Sequence, residues 1–166
     1  RVSVVIGKNG AGKSTLLETL TGGNSIKSGS IKWDGDLMQN LDGKTLAIRR
    51  AVLSQQVTMS FSLPVKDLVE MGTYVTDESL TKIKIEHLVE NALSEVGMEE
   101  FKNRDFNSLS GGEQKRVLLA KCIVQLNCCC WSNVNKYLFL DEPTSSLDIE
   151  QQYKFIALVK RLVRRR

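Results

Sequence analysis

A glycine-rich stretch near the start of the chain has the residue types needed to bind a polyphosphate. Residues 7–14 read GKNGAGKS and match the pattern G-x-x-x-x-G-K-[ST]. Glycines leave the backbone N–H groups of such a loop free to converge on phosphate oxygens, and a helix that begins there adds partial positive charge. Lys13 would supply a point charge to the β- and γ-phosphates, and the Ser14 hydroxyl would ligate Mg²⁺. The residues predicted to bind nucleotide are Gly7, Lys8, Asn9, Gly10, Ala11, Gly12, Lys13, Ser14 and Thr15.

Two acids follow an apolar run later in the chain, in the segment YLFLDEPTSSLD at 137–148. Beside a phosphate-binding loop, an acid at the end of a strand faces the bound metal, so Asp141 is predicted to be the Mg²⁺ partner. Glu142 leaves the strand one residue later and would reach a water beyond the γ-phosphate. A carboxylate placed there acts as a general base, an effect of roughly 10²–10⁴-fold on rate.

A second glycine turn, Ser110-Gly111-Gly112, precedes another predicted helix. Its amides, its hydroxyl and the positive end of the helix dipole would form a second anion site. One chain cannot easily fold both sites onto the same γ-phosphate, whereas two copies paired head to tail about a two-fold axis bring each loop against the other's glycine turn. For these three residues alone, the alternative is a capped helix without a ligand.

The elements that must position these residues can be predicted from hydrophobic patterning. Residues 2–6 are a short apolar run that predicts a buried parallel strand in front of the first loop. Asp-Gly at 34–35 predicts a turn between antiparallel strands. Further predictions are a helix over 13–20, a strand over 51–54, helices from about 64 that end at Gly97, a helix from 112 to about 126, a buried strand over 137–141 and a helix from 149. This order indicates an α/β sheet core with an antiparallel β portion and an inserted helical subdomain.

Composition agrees with a folded domain of 166 residues with net charge +4. No apolar run reaches the ~20 residues of a membrane helix, and no signal peptide is recognisable. The basic tail VKRLVRRR is interpreted as a helix end rather than a nucleic-acid patch. The chain starts at Arg1 rather than Met, which suggests a fragment. The cysteines lack metal-site spacing and are interpreted as reduced thiols: Cys122, Cys128, Cys129 and Cys130.

The segments GKNGAGKST, LSGGE and LFLDEPTSSLD, in this order, resemble the nucleotide-binding domain of an ABC-type ATPase. The resemblance covers essentially the whole chain. It implies a P-loop NTPase fold and a single, incomplete ABC ATPase domain over 1–166. Within that domain, 1–60 and 127–166 would form the nucleotide-binding core, and about 61–126 would form a helical subdomain that carries the signature motif.

The resemblance also implies residue roles. Gln55, in VLSQQ, corresponds to the glutamine that contacts Mg²⁺ and the attacking water and senses the membrane partner, with Gln56 as the alternative. Ser110, Gly111 and Gly112 correspond to the signature that completes the partner's site, and Asp148 to the acid that links the two sites. The implied ligands are ATP and Mg²⁺. The implied partners are a second ATPase subunit and transmembrane permease subunits, at the cytoplasmic face of the inner membrane, and no nucleic acid is expected.

Within the family, RRAVLSQQVTMSFSLPVKDLVEMG and the stretch 125–137 most resemble bacterial haem importers, and importers of iron-siderophores or cobalamin share much of this. Two other functional classes are considered. A soluble ABC-class ATPase is disfavoured, because the chain has no sustained heptads for a coiled coil and only one set of the three motifs. A non-catalytic nucleotide-binding module is disfavoured by the presence of Glu142. The family's adenine-stacking aromatic would precede Arg1, and its γ-phosphate histidine would follow residue 166. His87 lies before Ser110 and cannot replace that histidine, so this chain alone is expected to hydrolyse ATP poorly.

Overall fold

A computed structural model describes residues 1–55, 59–75, 80–129, 134–145 and 147–164 of the chain. Its helices and short strands agree with an α/β fold class. In chain order the elements are α1 (Lys13–Leu20), β1 (Lys32–Trp33), β2 (Asp36–Leu37), α2 (Gly43–Arg49), β3 (Arg50–Leu53), α3 (Val65–Glu70), α4 (Lys82–Val96), α5 (Gly111–Asn127), β4 (Tyr137–Leu140) and α6 (Ile149–Arg164). Short 3₁₀ turns span Met38–Asn40, Met71–Val75, Glu99–Phe101 and Phe106–Ser108.

Strands β3 and β4 pair in parallel and determine where the candidate site lies. Their register runs from Arg50 opposite Tyr137 to Leu53 opposite Leu140. The Asp141 N–H extends the ladder by donating to the Leu53 carbonyl at 3.0 Å. Because parallel strands end at the same edge of a sheet, the residues after β3 and those after β4 come out side by side.

Helix α5 runs through the centre of the main hydrophobic core. Val117, Leu119 and Val124 on this helix are fully buried. They pack in one cluster with apolar residues of α3, α4, α6 and β3. The 3₁₀ turn that follows α3 comes so close to α5 that a Cβ on Gly72 would lie 2.6 Å from the Lys121 carbonyl oxygen. A side chain at position 72 would therefore push the turn away from the core.

The predicted antiparallel hairpin is confirmed as β1 and β2. Its two-residue turn places Asp34 at φ 54° and Gly35 at φ 97°, the positive angles of a type I′ turn that Asp-Gly favours. The Tyr137 hydroxyl donates to the Asp34 carboxylate at 2.6 Å, and this hydrogen bond holds the pKa of Asp34 below its ordinary value. Trp33 is buried and meets the Tyr137 ring edge-on, so the hairpin is fixed to the start of β4.

The prediction of a buried strand over residues 2–6 is wrong. These residues form no strand, and Ile6 is 90% exposed and Val4 is 74% exposed. A buried strand needs neighbouring strands for its backbone groups, and in the part of the chain that the structure describes β3 and β4 pair only with each other. For the same reason the apolar run Tyr137–Leu140 forms β4 as predicted, but its residues are half-buried rather than buried.

The predicted helices are present, and their ends have local causes. Helix α4 is capped by the Thr81 side chain and ends at Gly97, which adopts the left-handed conformation with φ 66°. Helix α5 ends one residue beyond the predicted limit, at Asn127. Within the described ranges, no helix combines the length and the apolar character required to cross a bilayer. The division into 1–60 with 127–166 and about 61–126 stays a prediction.

Three of the cysteines lie in the described ranges. Cys122, Cys128 and Cys129 are buried free thiols. Burial raises the pKa of Cys122 and of Cys128 to about 12, which keeps both protonated and unreactive near neutral pH. These side chains therefore act as small core residues. Cys130 lies outside the described residues.

Candidate active site

The side chain of Lys13 folds back onto the glycine-rich loop that precedes it. Gly10 and Gly12 have φ values of 79° and 85°, which the loop needs to turn into α1 and which L side chains rarely adopt. The Lys13 ammonium donates to the carbonyl oxygens of Gly7 at 2.9 Å and Lys8 at 3.0 Å. The loop and Thr15 are exposed, with Lys13 and Ser14 partly buried at the start of α1. The Lys13 ammonium is therefore held against the loop, next to the N-terminus of α1.

The start of α1 meets the end of β4. The Ser14 hydroxyl donates to the Asp141 carboxylate at 3.2 Å, although the two residues are 127 positions apart. Hydroxyl and carboxylate oxygens are the type of ligand that Mg²⁺ prefers. The side chains of Ser14 and Asp141 are therefore chemically suited to bind Mg²⁺.

The residues that follow β3 and β4 also meet. Gln55 donates from Nε2 to the Glu142 carboxylate at 2.8 Å. Glu142 has φ 43°, a left-handed conformation that is unusual for a residue other than glycine and is further disfavoured before Pro143. Strained backbone of this kind costs on the order of 1–3 kcal/mol and persists where surrounding contacts enforce it. The surrounding contacts therefore hold the Glu142 backbone in this conformation, and the hydrogen bond from Gln55 orients its carboxylate.

A lysine that sequence reasoning missed contacts the turn after Glu142. Lys115 of α5 donates to the Glu142 carbonyl at 3.4 Å, to the Ser145 hydroxyl at 3.1 Å and to the Ser145 carbonyl. Ser145 also donates to the Glu142 carbonyl from its backbone at 3.0 Å and from its hydroxyl at 2.8 Å. Burial lowers the pKa of Lys115, and the negative charge of Glu142 partly offsets this. No local pattern marks Lys115, because its partners lie 27 and 30 residues away.

Ser110 is the N-cap of α5 and makes a capping box with Glu113. The Ser110 amide and hydroxyl each donate to the Glu113 carboxylate at 2.7 Å, and the Glu113 amide donates back to the Ser110 hydroxyl at 3.4 Å. The side-chain hydrogen bond from Ser110 holds the pKa of Glu113 below its ordinary value. The sequence signal for this contact is S-x-x-E, which was present at 110–113. Within one chain, the capped-helix alternative accounts for these hydrogen bonds of Ser110.

The rest of the second glycine turn faces outward. Ser110 and Gly111 are exposed, and a Cβ on Gly111 would meet no atom within 4 Å. A Cβ on Gly112 would approach the Leu147 side chain at 3.3 Å, so this glycine lets the segment before α6 pack closely. Asp148 in that segment is exposed and caps α6 by accepting from the Gln151 amide at 2.8 Å.

The loop that follows Gln55 is attached to the segment that leads to Ser110. The Asn107 side-chain amide donates to the Phe61 carbonyl at 3.1 Å and to the Met59 carbonyl at 3.3 Å. The Phe106 amide donates to the Leu63 carbonyl at 2.9 Å. These hydrogen bonds join residues 59–63 to residues 106–107. Gln56 lies outside the described residues, and His87 is exposed on α4, within the helical stretch before Ser110.

The geometry brings together four of the predicted residues, Ser14 with Asp141 and Gln55 with Glu142, in one P-loop arrangement. The family model described as ABC transporter matches residues 1–145. The chain belongs to the ABC transporter family. It is similar to the hemin import ATP-binding protein HmuV of Rhodopseudomonas palustris strain ATCC BAA-98 / CGA009, with 41% identity over 97% of this chain and 58% of that protein. The protein of the same name from Pseudoalteromonas translucida strain TAC 125 is 38% identical over 95% of this chain and 60% of that protein.

Solved structures of ABC proteins share the fold. One, described as a metal-chelate type ABC transporter in an inward-facing conformation, has a TM-score of 0.71 and 29% identity over 93% of this chain and 55% of that one. The cbiO1 structure from Clostridium perfringens, part of the ABC transporter complex cbiONQ, has a TM-score of 0.76 and 29% identity over 95% of this chain and 60% of that one. The chain therefore has the predicted P-loop NTPase fold. It spans about 60% of the length of the HmuV relatives it matches.

Proposed function

We propose that this chain is the ATP-binding part of a subunit that hydrolyses ATP to energise an ABC importer. The observation that carries the proposal is the hydrogen bond between Gln55 and Glu142 next to the contact between Ser14 and Asp141. A loop that only bound nucleotide would not need a carboxylate held in a strained conformation beside it. The Glu142 carboxylate would then serve as the general base.

The proposed binding roles follow from the contacts. The amides of residues 7–15 and the Lys13 ammonium would hold the phosphates of ATP. Ser14, Asp141 and Gln55 supply the oxygen atoms that would hold Mg²⁺. When bound, Mg²⁺ would neutralise charge on the phosphate oxygens. The side-chain amide of Gln55 keeps its nitrogen on Glu142, which leaves its oxygen for the ion.

The proposed reaction is hydrolysis of the terminal phosphoanhydride of ATP. Glu142 would accept a proton from a water molecule as the water oxygen bonds to the γ-phosphorus. The bond between the γ-phosphorus and the bridging oxygen breaks, and the electron pair leaves with ADP. Lys13 would stabilise charge that develops on the phosphate oxygens. Gln55 would fix the carboxylate in the direction of the water.

The direct test of this chemistry is a matched pair of glutamate variants in the full-length subunit. Glu142→Gln should retain ATP binding and lower kcat by about 10²–10⁴-fold, because the amide cannot accept the proton. Glu150→Gln is the control, since the Glu150 side chain is exposed on α6 and pairs only with Lys154 among the ion pairs described. Equal turnover of the parent and the Glu142→Gln protein would contradict the general-base role. Binding of ATP without turnover in the parent would indicate a non-catalytic module.

The proposed active form is a head-to-tail homodimer in which each ATP lies between two copies. The open surface at Ser110 and Gly111 supports it, because a phosphate group from a second copy has room to approach there. Gly112 packs on Leu147, so the second glycine turn and Asp148 would contact the partner together. A mixture of Lys13→Ala and Ser110→Arg proteins tests this arrangement.

In such a mixture, each variant alone should be inactive. A mixed head-to-tail dimer combines both defects in one site and leaves the other site intact, so random pairing should restore about a quarter of the parental rate. If both motifs acted on ATP within one chain, mixing would restore nothing. Sedimentation with ATP would show whether dimers form at all.

The proposed cargo is haem. The support is the similarity to hemin import ATP-binding proteins, and iron-siderophore or cobalamin import is the alternative. The subunit would bind transmembrane permease subunits as a peripheral protein on the cytoplasmic face of the inner membrane, and no nucleic-acid partner is proposed. Co-purification would identify the permease, and uptake of hemin, a ferric siderophore and cobalamin into vesicles would identify the cargo. ATP-dependent uptake of only a non-haem cargo would overturn the haem proposal.

A further inference from the structure

We propose that Lys115 is a positioning residue that holds the Glu142 backbone so that its carboxylate faces the reacting water. This inference rests on the proposed function, in which Glu142 is the general base. Lys115 lies on α5, and its ammonium contacts only backbone and hydroxyl oxygens of the turn after β4 in the hydrogen bonds described. Its role would therefore be exerted through Glu142 and not on the substrate itself.

The geometry around the Glu142 carbonyl supports this role. That oxygen accepts from the Ser145 amide, the Ser145 hydroxyl and the Lys115 ammonium. The ammonium also binds the Ser145 carbonyl and hydroxyl, so it joins both ends of the four-residue turn 142–145. A charged donor makes a stronger hydrogen bond than a neutral one, and a partly buried donor is less screened by water.

The backbone of Glu142 needs such support. Its φ of 43° and the proline that follows both disfavour the observed conformation. Without the ammonium, the Glu142 carbonyl would still accept the two hydrogen bonds that Ser145 donates to it. We expect Glu142 to leave the left-handed region in part of the molecules, which would separate its carboxylate from Gln55.

The position of Lys115 also connects the second glycine turn to the turn after β4. Lys115 is in the second turn of α5, the helix that Ser110 caps. A displacement of this end of α5 would shift the ammonium and, through it, the Glu142 turn. Contact of Ser110 with a ligand could thus affect the alignment of the proposed base in the same chain.

The test compares three variants of the full-length subunit. Lys115→Met keeps the length of the side chain and removes the charge, and we expect kcat to fall by roughly 10–10²-fold, the scale of a misaligned reacting group. The Kd for ATP should stay within about twofold, because the phosphate loop is unchanged and only an interaction with the reacting state is lost. Lys115→Arg, which can still donate to both carbonyls, should restore most of kcat. Lys121→Met on the same helix is the control, with turnover at the parental level.

A double variant tests whether Lys115 affects kcat through the Glu142 carbonyl. Ser145→Ala removes the hydroxyl that Lys115 and the Glu142 carbonyl share. If both residues act through that carbonyl, the loss of kcat in Lys115→Met with Ser145→Ala should be smaller than the product of the single losses. Multiplicative losses would indicate independent roles and would contradict the proposal.

Other outcomes separate this inference from the proposed function. Parental kcat in Lys115→Met, beside a large loss in Glu142→Gln, would overturn the positioning role and leave the ATPase function intact. No difference between the parent and Glu142→Gln would overturn the function itself. A fall in Tm and in ATP affinity together with kcat, without rescue by Lys115→Arg, would show that Lys115 only supports the fold.

Discussion

Gln55 and Glu142 lie 87 positions apart in the chain, and their side chains share a hydrogen bond of 2.8 Å. The pairing of β3 with β4 accounts for this, because Leu53 stands opposite Leu140 and each functional residue comes two positions later. A shift of this register by one residue would reverse the faces of one strand and separate the pair. The site thus depends on two strands of four residues each.

Removing the Gln55 side chain should impair turnover. Gln55→Ala takes away the donor that orients the Glu142 carboxylate, and we expect kcat to fall by about 10-fold or more while ATP still binds. Gln39→Ala is the matched control, since Gln39 is exposed in the 3₁₀ turn Met38–Asn40. Steady-state phosphate release measures both. A kcat for Gln55→Ala equal to that of Gln39→Ala would mean that the contact has no catalytic role.

Removing the Ser14 hydroxyl should weaken the effect of Mg²⁺ on nucleotide binding. In the parent, EDTA should lower the affinity for a fluorescent ATP analogue, because Ser14 and Asp141 supply oxygen ligands for the ion. In Ser14→Ala, the affinities with Mg²⁺ and with EDTA should be closer together. Ser28→Ala, at an exposed bend, should behave like the parent. An unchanged Mg²⁺ response in Ser14→Ala would argue against the proposed ligand.

The capping box should make stability depend on pH. The pKa of Glu113 is lowered by its hydrogen bonds from Ser110, so the folded state binds this proton less tightly than the unfolded state. The stabilisation is therefore present above the ordinary glutamate pKa of ~4.3 and is lost as the pH falls through the lower folded value. Glu113→Gln should cost about 0.3–1 kcal/mol of the free energy of unfolding at pH 7.

Urea denaturation across the acidic range measures the Glu113 effect. The difference between the parent and Glu113→Gln should shrink as the pH falls below ~4.3. Glu86→Gln, at an exposed position of α4, is the control and should show little difference at any pH. A constant difference from pH 7 to pH 3 would show that the charge of Glu113 is not involved.

Shortening a buried side chain near the second glycine turn should destabilise the fold strongly. Phe106 is 1% exposed and packs in the main cluster, so Phe106→Ala should cost about 3–5 kcal/mol of the free energy of unfolding. Phe61→Ala should cost far less, because Phe61 is 58% exposed. Chemical denaturation of both variants measures the difference. Equal losses would contradict the assignment of Phe106 to the core.

Features that depend on a few adjacent residues could be predicted from the sequence. Asp34-Gly35 predicts a turn because those two residue types tolerate positive φ, and Gly97 predicts the end of α4 for the same reason. The phosphate loop and the acids after β4 are also local patterns. The capping box between Ser110 and Glu113 can also be predicted, because the two residues have the spacing S-x-x-E.

Features that depend on distant partners could not be predicted in this way. An apolar run such as residues 2–6 indicates a preference for burial, but whether it becomes a strand depends on the strands available to pair with it. Lys115 has an ordinary place in a helical pattern, and its role appears only when the turn 142–145 folds against α5. The family resemblance, rather than patterning, singled out Gln55, and the sheet register then placed it beside Glu142.

The most direct measurement is the identity of the nucleotide that the full-length Glu142→Gln protein retains. The protein is incubated with Mg²⁺ and ATP, separated from free nucleotide and denatured, and the released ATP and ADP are quantified. If Glu142 is the general base, the retained nucleotide should be mainly ATP with its γ-phosphate intact, whereas the parent should retain mainly ADP. Mainly ADP from the Glu142→Gln protein, at the parental rate of formation, would contradict the account.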